Sequence, residues 1–266
     1  MKIKDILVAL EHFSPLPLEE NWDNAGLQVG LTERDASGAL LCLDVNEKII
    51  DEAISKGCNI IVSHHPLLFH GLKQISDANY VQRVVAKAIK NDITIISMHT
   101  NLDNAQNGVN FKIAEKLGLE NPLFMSPSQR IVSEQTVTCG SGVVGELVSA
   151  MDSQQFIDFV KQTFQCGCVM TNELLQRPIK RVAVCGGAGA FLLSEAISSG
   201  ADAFITGEMH YHEYFDCEQK IQILVIGHYE SEHFTAEIFH HILSTHFPSL
   251  PLFIAQTNTN PIVYHN

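Results

Sequence analysis

Residues 51–67 read DEAISKGCNIIVSHHPL, and residues 194–210 read SEAISSGADAFITGEMH. Aligned without a gap, both open as amphipathic helices and pass a glycine, Gly57 or Gly200, that suits a helix C-terminus. Each then enters a short apolar run that reads as a buried strand. The pattern recurs downstream, where ITIISMHTNLD at 93–103 resembles IQILVIGHYESE at 221–232. A further strand precedes each repeat, in GALLCLDVN at 38–46 and KRVAVCGGAGA at 180–190. Strands alternating with helices predict an α/β fold with mixed, mostly parallel sheets. The repeat predicts two related α/β halves made by internal duplication, with chance similarity of two strand–helix units as the alternative. The halves are set at 1–120 and 178–266. Between them, 121–177 reads as a small central α+β segment, a Gly-turned strand and an amphipathic helix without a catalytic cluster.

The strand ends carry the chemistry. His64 and His65 follow NIIVS, Asp103 follows IISMHTNL, and His228 and Glu232 follow ILVIG. Imidazole with carboxylate is a donor set that Zn, Mn, Fe or Ni accepts. Adjacent residues within a strand point to opposite faces, so His64 and His65 could not converge from mid-strand. Pro66 ends ladder pairing, however, and places the pair where the chain turns. His228 and Glu232 are four apart at the start of a helix read over 229–245, and so share a face. Five donors with two carboxylates exceed the needs of one tetrahedral ion and predict two divalent ions per chain. In the repeat, His99 aligns with His228, and Glu208 aligns with His65. Both lie outside the ligand set, which makes them candidates for moving protons. Among the thirteen histidines, His240, His241, His246 and His265 read as structural. The Gly186–Gly189 turn lacks a full dinucleotide fingerprint and reads as an anion cradle or as a tight strand-to-helix turn.

Composition bounds the function. With 17 basic and 30 acidic residues the chain carries −13, which disfavours broad contact with nucleic acid. No apolar run reaches the roughly 20 residues of a membrane span, and the opening MKIKDILVALEHF reads as an amphipathic helix, not a signal peptide. Seven cysteines, mostly within apolar strands, fit reduced thiols in a cytoplasmic protein. Cys166-Gly167-Cys168 has no second pair to complete a zinc site and reads as structural.

In order along the chain, ENWDNAGLQVG (20–30), SHHP, HTNLD, CGGAG, TGEMHYH and GHYESE resemble the motifs of the Nif-three-like family of dinuclear-metal proteins, often labelled type 2 GTP cyclohydrolase I homologues. The resemblance covers nearly the whole chain. It implies that His64, His65, Asp103, His228 and Glu232 are the metal ligands, with Glu232 bridging two ions. It further implies a duplicated α/β fold and a homohexameric ring. His233-Phe234 departs from the small or basic residue that many relatives carry there. The reading is therefore a metal-dependent hydrolase of a nucleotide or related small molecule, by purine-ring opening or phosphoester cleavage. The alternative is a non-catalytic metal-binding ring scaffold or regulatory protein.

Overall fold

The computed structural model describes residues 1–215 and 217–265. In chain order the first elements are α1 (Ile3–Phe13), β1 (Gly26–Val29), β2 (Ala39–Cys42), α2 (Glu47–Ser55), β3 (Ile60–Ser63), α3 (Tyr80–Lys90), β4 (Thr94–Ser97) and α4 (Thr100–Asp103). There follow α5 (Val109–Lys116), β5 (Glu120–Val132), β6 (Gln135–Met151), α6 (Ser153–Phe164), β7 (Met170–Thr171), β8 (Ile179–Cys185) and α7 (Leu193–Ser198). The last are β9 (Ala203–Thr206), β10 (Gln222–Val225), α8 (His228–Glu232), α9 (Thr235–His246) and β11 (Leu252–Ile254). This is a mixed α/β protein. It divides into two compact units, residues 1–102 with 233–261 and residues 103–232 with 262–266. Among the described residues no helix is long and apolar enough to cross a membrane.

The first unit is built on a five-stranded sheet of order β1-β4-β3-β2-β11. The β4-β3, β3-β2 and β2-β11 ladders are parallel, and β1 runs antiparallel along the edge. β2, β3 and β4 are buried at every position, as expected of parallel strands covered on both faces. Leu40, Ile61 and Ile95 pack with Ile49, Ile50 and Ala53 of α2 and with Val84, Val85 and Ala88 of α3. α9 packs against β2 and β3. The helix read over 229–245 is in fact two, because the chain makes a turn at His233–Phe234 between α8 and α9. Phe234 is buried at that turn.

The second unit carries a six-stranded sheet of order β5-β6-β8-β9-β10-β7. Here only β8-β9 and β9-β10 are parallel, so this sheet is mixed and less parallel than the first. Residues 121–177 contribute the long β5-β6 hairpin, and β6 pairs antiparallel with β8 through Val143↔Val184 and its neighbours. Its two-residue loop is Ser133-Glu134, with φ of 46° and 67°. Positive φ at both central residues is what a type I′ turn requires to match the twist of the strands. Ala183, Phe204, Ile223 and Val225 form the core with Leu192 and Ala196.

Each sheet contains three adjacent parallel strands with the same order of connection, β2-β3-β4 within the four-stranded parallel run of the first sheet and β8-β9-β10 in the second. The helices that feed β3 and β9 end alike. Gly57 and Gly200 take φ of 69° and 73°, and the following amides return to Ala53 and Ala196, a left-handed helix stop that glycine reaches without steric cost. At the strand exits, His64 and His65 both donate their amides to the Leu43 carbonyl, as Gly207 and Glu208 do to Gly187. The aligned pair His99 and His228 does not share one offset with its strands. Ser63 accepts from Met98 and Thr206 from Ile226, so the second unit has one extra residue, Gly227 at φ 101°, before its histidine.

No disulfide links the seven cysteines; six are buried and Cys168 is exposed. Burial pushes the Cys58 thiol up to about 11 and the Cys166 thiol up to about 12. Only the thiolate is nucleophilic, so native protein at pH 8 should show one fast thiol with Ellman's reagent and six that react only on unfolding. Cys168→Ser should remove the fast phase. A fast phase of two or more thiols in the wild type would contradict this burial pattern.

Candidate metal centre

In the first unit the β3 exit places His64 and His65 at a bend, because the chain leaves the ladder at Ser63 and Pro66 follows. Ser63 Oγ and Ser97 Oγ both donate to the His65 carbonyl, at 2.9 Å each, and pin the bend from beneath. His99 leaves β4 alongside. One donor atom from each of His64, His65 and His99 lies within 4.8 Å of the others. The ring centroids are 5.1–5.6 Å apart.

The Nδ1 atoms of all three rings are engaged by oxygen. His64 Nδ1 lies 2.8 Å from the Met98 carbonyl, His65 Nδ1 2.7 Å from Asp44 Oδ1, and His99 Nδ1 2.8 Å from Asp23 Oδ1. With Nδ1 held in this way, the orientation of each ring is set and Nε2 is the nitrogen that can serve as a ligand or carry a proton, the arrangement that orients metal-binding histidines. Asp44 is fixed in turn by Thr259 Oγ1 at 2.8 Å. Asp23 receives the Thr100 amide and the Thr100 hydroxyl. Burial alone would raise the Asp23 pKa, but hydrogen bonds from His99, Thr100 and Asn24 with the His99 charge outweigh it and bring it to about 2. Asp23 is therefore a carboxylate at neutral pH. Neither Asp23, within ENWDNAGLQVG, nor Asp44 has a role that the sequence alone assigns. For Asp44 the available signal is an acidic residue shortly after β2, which is weak, and Asp23, which precedes β1, has no such signal.

In the second unit α8 places His228 and Glu232 one turn apart, with His228 Nε2 3.1 Å from Glu232 Oε2. His228 Nδ1 lies 2.7 Å from Glu208 Oε1, so the same orienting contact recurs. Glu232 is buried, with 4% of its surface exposed. Beside it, a Cβ on Gly187 would stand 2.5 Å from Glu232 Oε1 and 3.3 Å from His228 Nε2. Absence of that side chain keeps the carboxylate in place. Asp103 sits at the end of α4, and its carbonyl accepts from Asn110 Nδ2 at 3.3 Å. Cys185 lies in the field of two of these carboxylates: burial first, then the charges of Asp103 and Glu232, push its thiol well up.

The Gly186–Gly189 turn resolves as a tight turn. Its amides at Gly186, Gly187 and Gly189 are taken by Asn110 Oδ1, Ser231 Oγ and Thr206 Oγ1 at 3.0, 3.0 and 3.1 Å. Donors spent on side chains do not make the phosphate cradle that the glycines suggested.

Each unit thus groups imidazoles and carboxylates whose outer atoms are already fixed, and this donor chemistry suits a divalent metal. The comparisons agree with the architecture. A Clostridium perfringens protein named GTP cyclohydrolase 1 type 2 homolog is 36% identical over 233 residues, covering 87% of both chains. Its counterpart in Clostridium acetobutylicum is 31% identical over 266 residues, covering 98% of both. A Bacillus cereus protein related to NIF3 superposes with a TM-score of 0.89 at 24% identity, covering 100% of this chain and 99% of the other, which establishes the fold. The family Duf34/NIF3 (NGG1p interacting factor 3) matches residues 1–261, and this chain belongs to it.

Proposed function

We propose that His64, His65, Asp103, His228 and Glu232 together hold two divalent ions, with Glu232 as the bridge, and that the protein is a metal-dependent hydrolase of a nucleotide or related small molecule. The observation that carries this reading is the hydrogen bonding of the imidazoles. All four rings have Nδ1 fixed by an oxygen at 2.7–2.8 Å. Histidines with a purely structural role have no common reason to engage the same ring nitrogen with an oxygen. The matching ladders and strand exits support descent of the two units from one duplicated α/β unit. The substrate class draws on the curated relatives, whose names refer to a GTP cyclohydrolase.

Divalent ions, when bound, supply Lewis-acid polarisation and an acidified water. The chain's own groups then position and move protons. His99 stands in the first unit's cluster with Nδ1 on the ionised Asp23. This pair has the logic of an oriented base, since the carboxylate fixes the orientation of the ring. Glu208 is the second proton-handling candidate, and its contact with His228 Nδ1 also gives it a positioning role. Trp22 and Leu27 are 64% and 43% exposed. Apolar exposure within so short a segment supports its burial between subunits of a homohexameric ring.

Metal analysis of the purified protein should find about two divalent ions per chain. His65→Ala and Asp103→Ala should each lose one ion preferentially, whereas Glu232→Gln should weaken both, since a neutral amide cannot offset the repulsion between two cations. Asp44→Ala should lower affinity about 10- to 100-fold without unfolding the chain, the effect of removing the partner that aims a ligand. Full metal content in all four folded variants would refute the centre.

Turnover of metal-loaded protein should be screened on nucleoside triphosphates, phosphodiesters and cyclic amides. His99→Ala should keep both ions and lose on the order of 10²–10⁴-fold in rate. Unchanged turnover in this variant would remove His99 as the proton handler, and inactivity against every substrate would favour a scaffold. Light scattering should give a hexamer, and Trp22→Glu should dissociate it. A 29.4 kDa monomer at every concentration would rule out the ring.

A further inference from the structure

A cavity of about 520 Å³ lies in the first unit, against the edge strand β1 and helix α3. Leu31, Leu68, Leu72, Ile75, Val85 and Ile89 line it, and its charged lining residues are Arg34 and Asp92. The volume falls within the roughly 300–1,000 Å³ of small-molecule sites, which are mostly apolar with few polar groups. Ile75 and Ile89 are 54% and 55% exposed, so apolar surface is left in contact with water. Arg34 Nη1 lies 3.0 Å from Asp92 Oδ2, and both side chains are about half exposed. A guanidinium has five N–H donors, and this pairing uses one nitrogen.

The outer wall is a connection without helix or strand over residues 66–79. Loops of this length inside a compact unit are uncommon and usually functional. Its Leu68 is clamped through the backbone: the amide donates to Gln28 Oε1 at 3.1 Å, and the carbonyl accepts from Asn24 Nδ2 at 2.6 Å. Leu68, Leu72 and Ile75 face the cavity. The next residue after the clamp, Phe69, stands edge-on to His99 with centroids 5.4 Å apart. The single tryptophan of the chain, Trp22, has its ring 6.0 Å from the same imidazole.

We propose that this cavity binds the aliphatic chain of a medium-chain carboxylate, with the carboxylate on Arg34, and that the 66–79 loop carries its occupancy to His99. The apolar walls select a saturated chain over a sugar or nucleotide, whose polar groups would find few partners there. The bidentate fork of arginine selects an anionic head. The head competes with Asp92 for the guanidinium, so occupancy exchanges one ion pair for another. The effect on turnover rests on the role of His99 proposed above; binding itself does not.

Decanoate, kept below its micellar concentration, is the probe, and the full-length metal-loaded protein is the sample. Calorimetry should show saturable binding at one site per chain, with a parallel change in Trp22 emission. Ile89→Glu and Ile75→Glu, both at exposed positions, should each weaken binding about tenfold or more by placing a charge beside the acyl chain. Arg34→Ala should weaken decanoate about tenfold and leave decanol unchanged, whereas Asp92→Asn should tighten decanoate. Phe69→Ala should keep the heat of binding and abolish the Trp22 response. No saturable heat, or equal binding to folded Ile89→Glu, would overturn the site. Equal losses for decanoate and decanol in Arg34→Ala would overturn the carboxylate. A Trp22 response that survives Phe69→Ala would overturn the coupling through the loop. If wild type does not bind decanoate and Ile89→Glu changes the mass in light scattering, the groove is covered by a second copy and the proposal fails. Metal content measured on the same samples reports separately on the metal centre.

Discussion

Parallel pairing forces the carboxyl ends of neighbouring strands onto one edge, and the chemistry of this protein is arranged around that constraint. In the first unit the ladder runs Cys42↔Ser63↔Ser97, and in the second Cys185↔Thr206↔Val225. The residues just beyond these rungs are His64 and His65, His99, Glu208 and His228, separated in sequence by tens of residues. Buried, fully paired strands fix their backbone, so the side chains that follow inherit a rigid base. The crevice beyond the carboxyl ends is also where open α/β sheets hold ligands.

Position alone does not make an imidazole a ligand. An unconstrained ring can flip or change tautomer, and either would withdraw the donor lone pair. Here the Met98 carbonyl, Asp44, Asp23 and Glu208 hold the four Nδ1 atoms. These partners come from different kinds of position: a strand exit, the loop after β2, the segment before β1 and the turn after β9. Their cost is partial burial of carboxylates, met by hydrogen bonds from Thr100 to Asp23 and from Thr259 to Asp44. Gly187 contributes by absence, since any side chain there would displace Glu232.

Much of this was legible in the linear chain. The short runs around Ile60, Thr94, Ala203 and Gln222 declared themselves as buried strands by composition, and Gly57 and Gly200 marked the helix ends. Local rules suffice where a feature depends on neighbours in sequence: a proline after two histidines ends a ladder, and a four-residue spacing on a helix brings His228 and Glu232 to 3.1 Å. The β5-β6 hairpin was less visible, because Ser133-Glu134 replaces the Asn-Gly signal of a type I′ turn and its conformation is imposed by ten paired positions on either side. The break between α8 and α9 was likewise hidden in a continuous run of helix-compatible residues.

Only the tertiary structure decided the rest, and the reason is range. The identity of a strand or a helix cap is set within a few residues, so composition and spacing determined the α/β character, the repeat and the candidate donors. Which oxygen holds a given Nδ1 depends on contacts across 20 to 76 residues, and no periodicity encodes them. The glycine turn shows the same limit from the other side. Its sequence allowed an anion cradle, and the side chains of Asn110, Thr206 and Ser231, brought to its amides by folding, made it a structural turn instead.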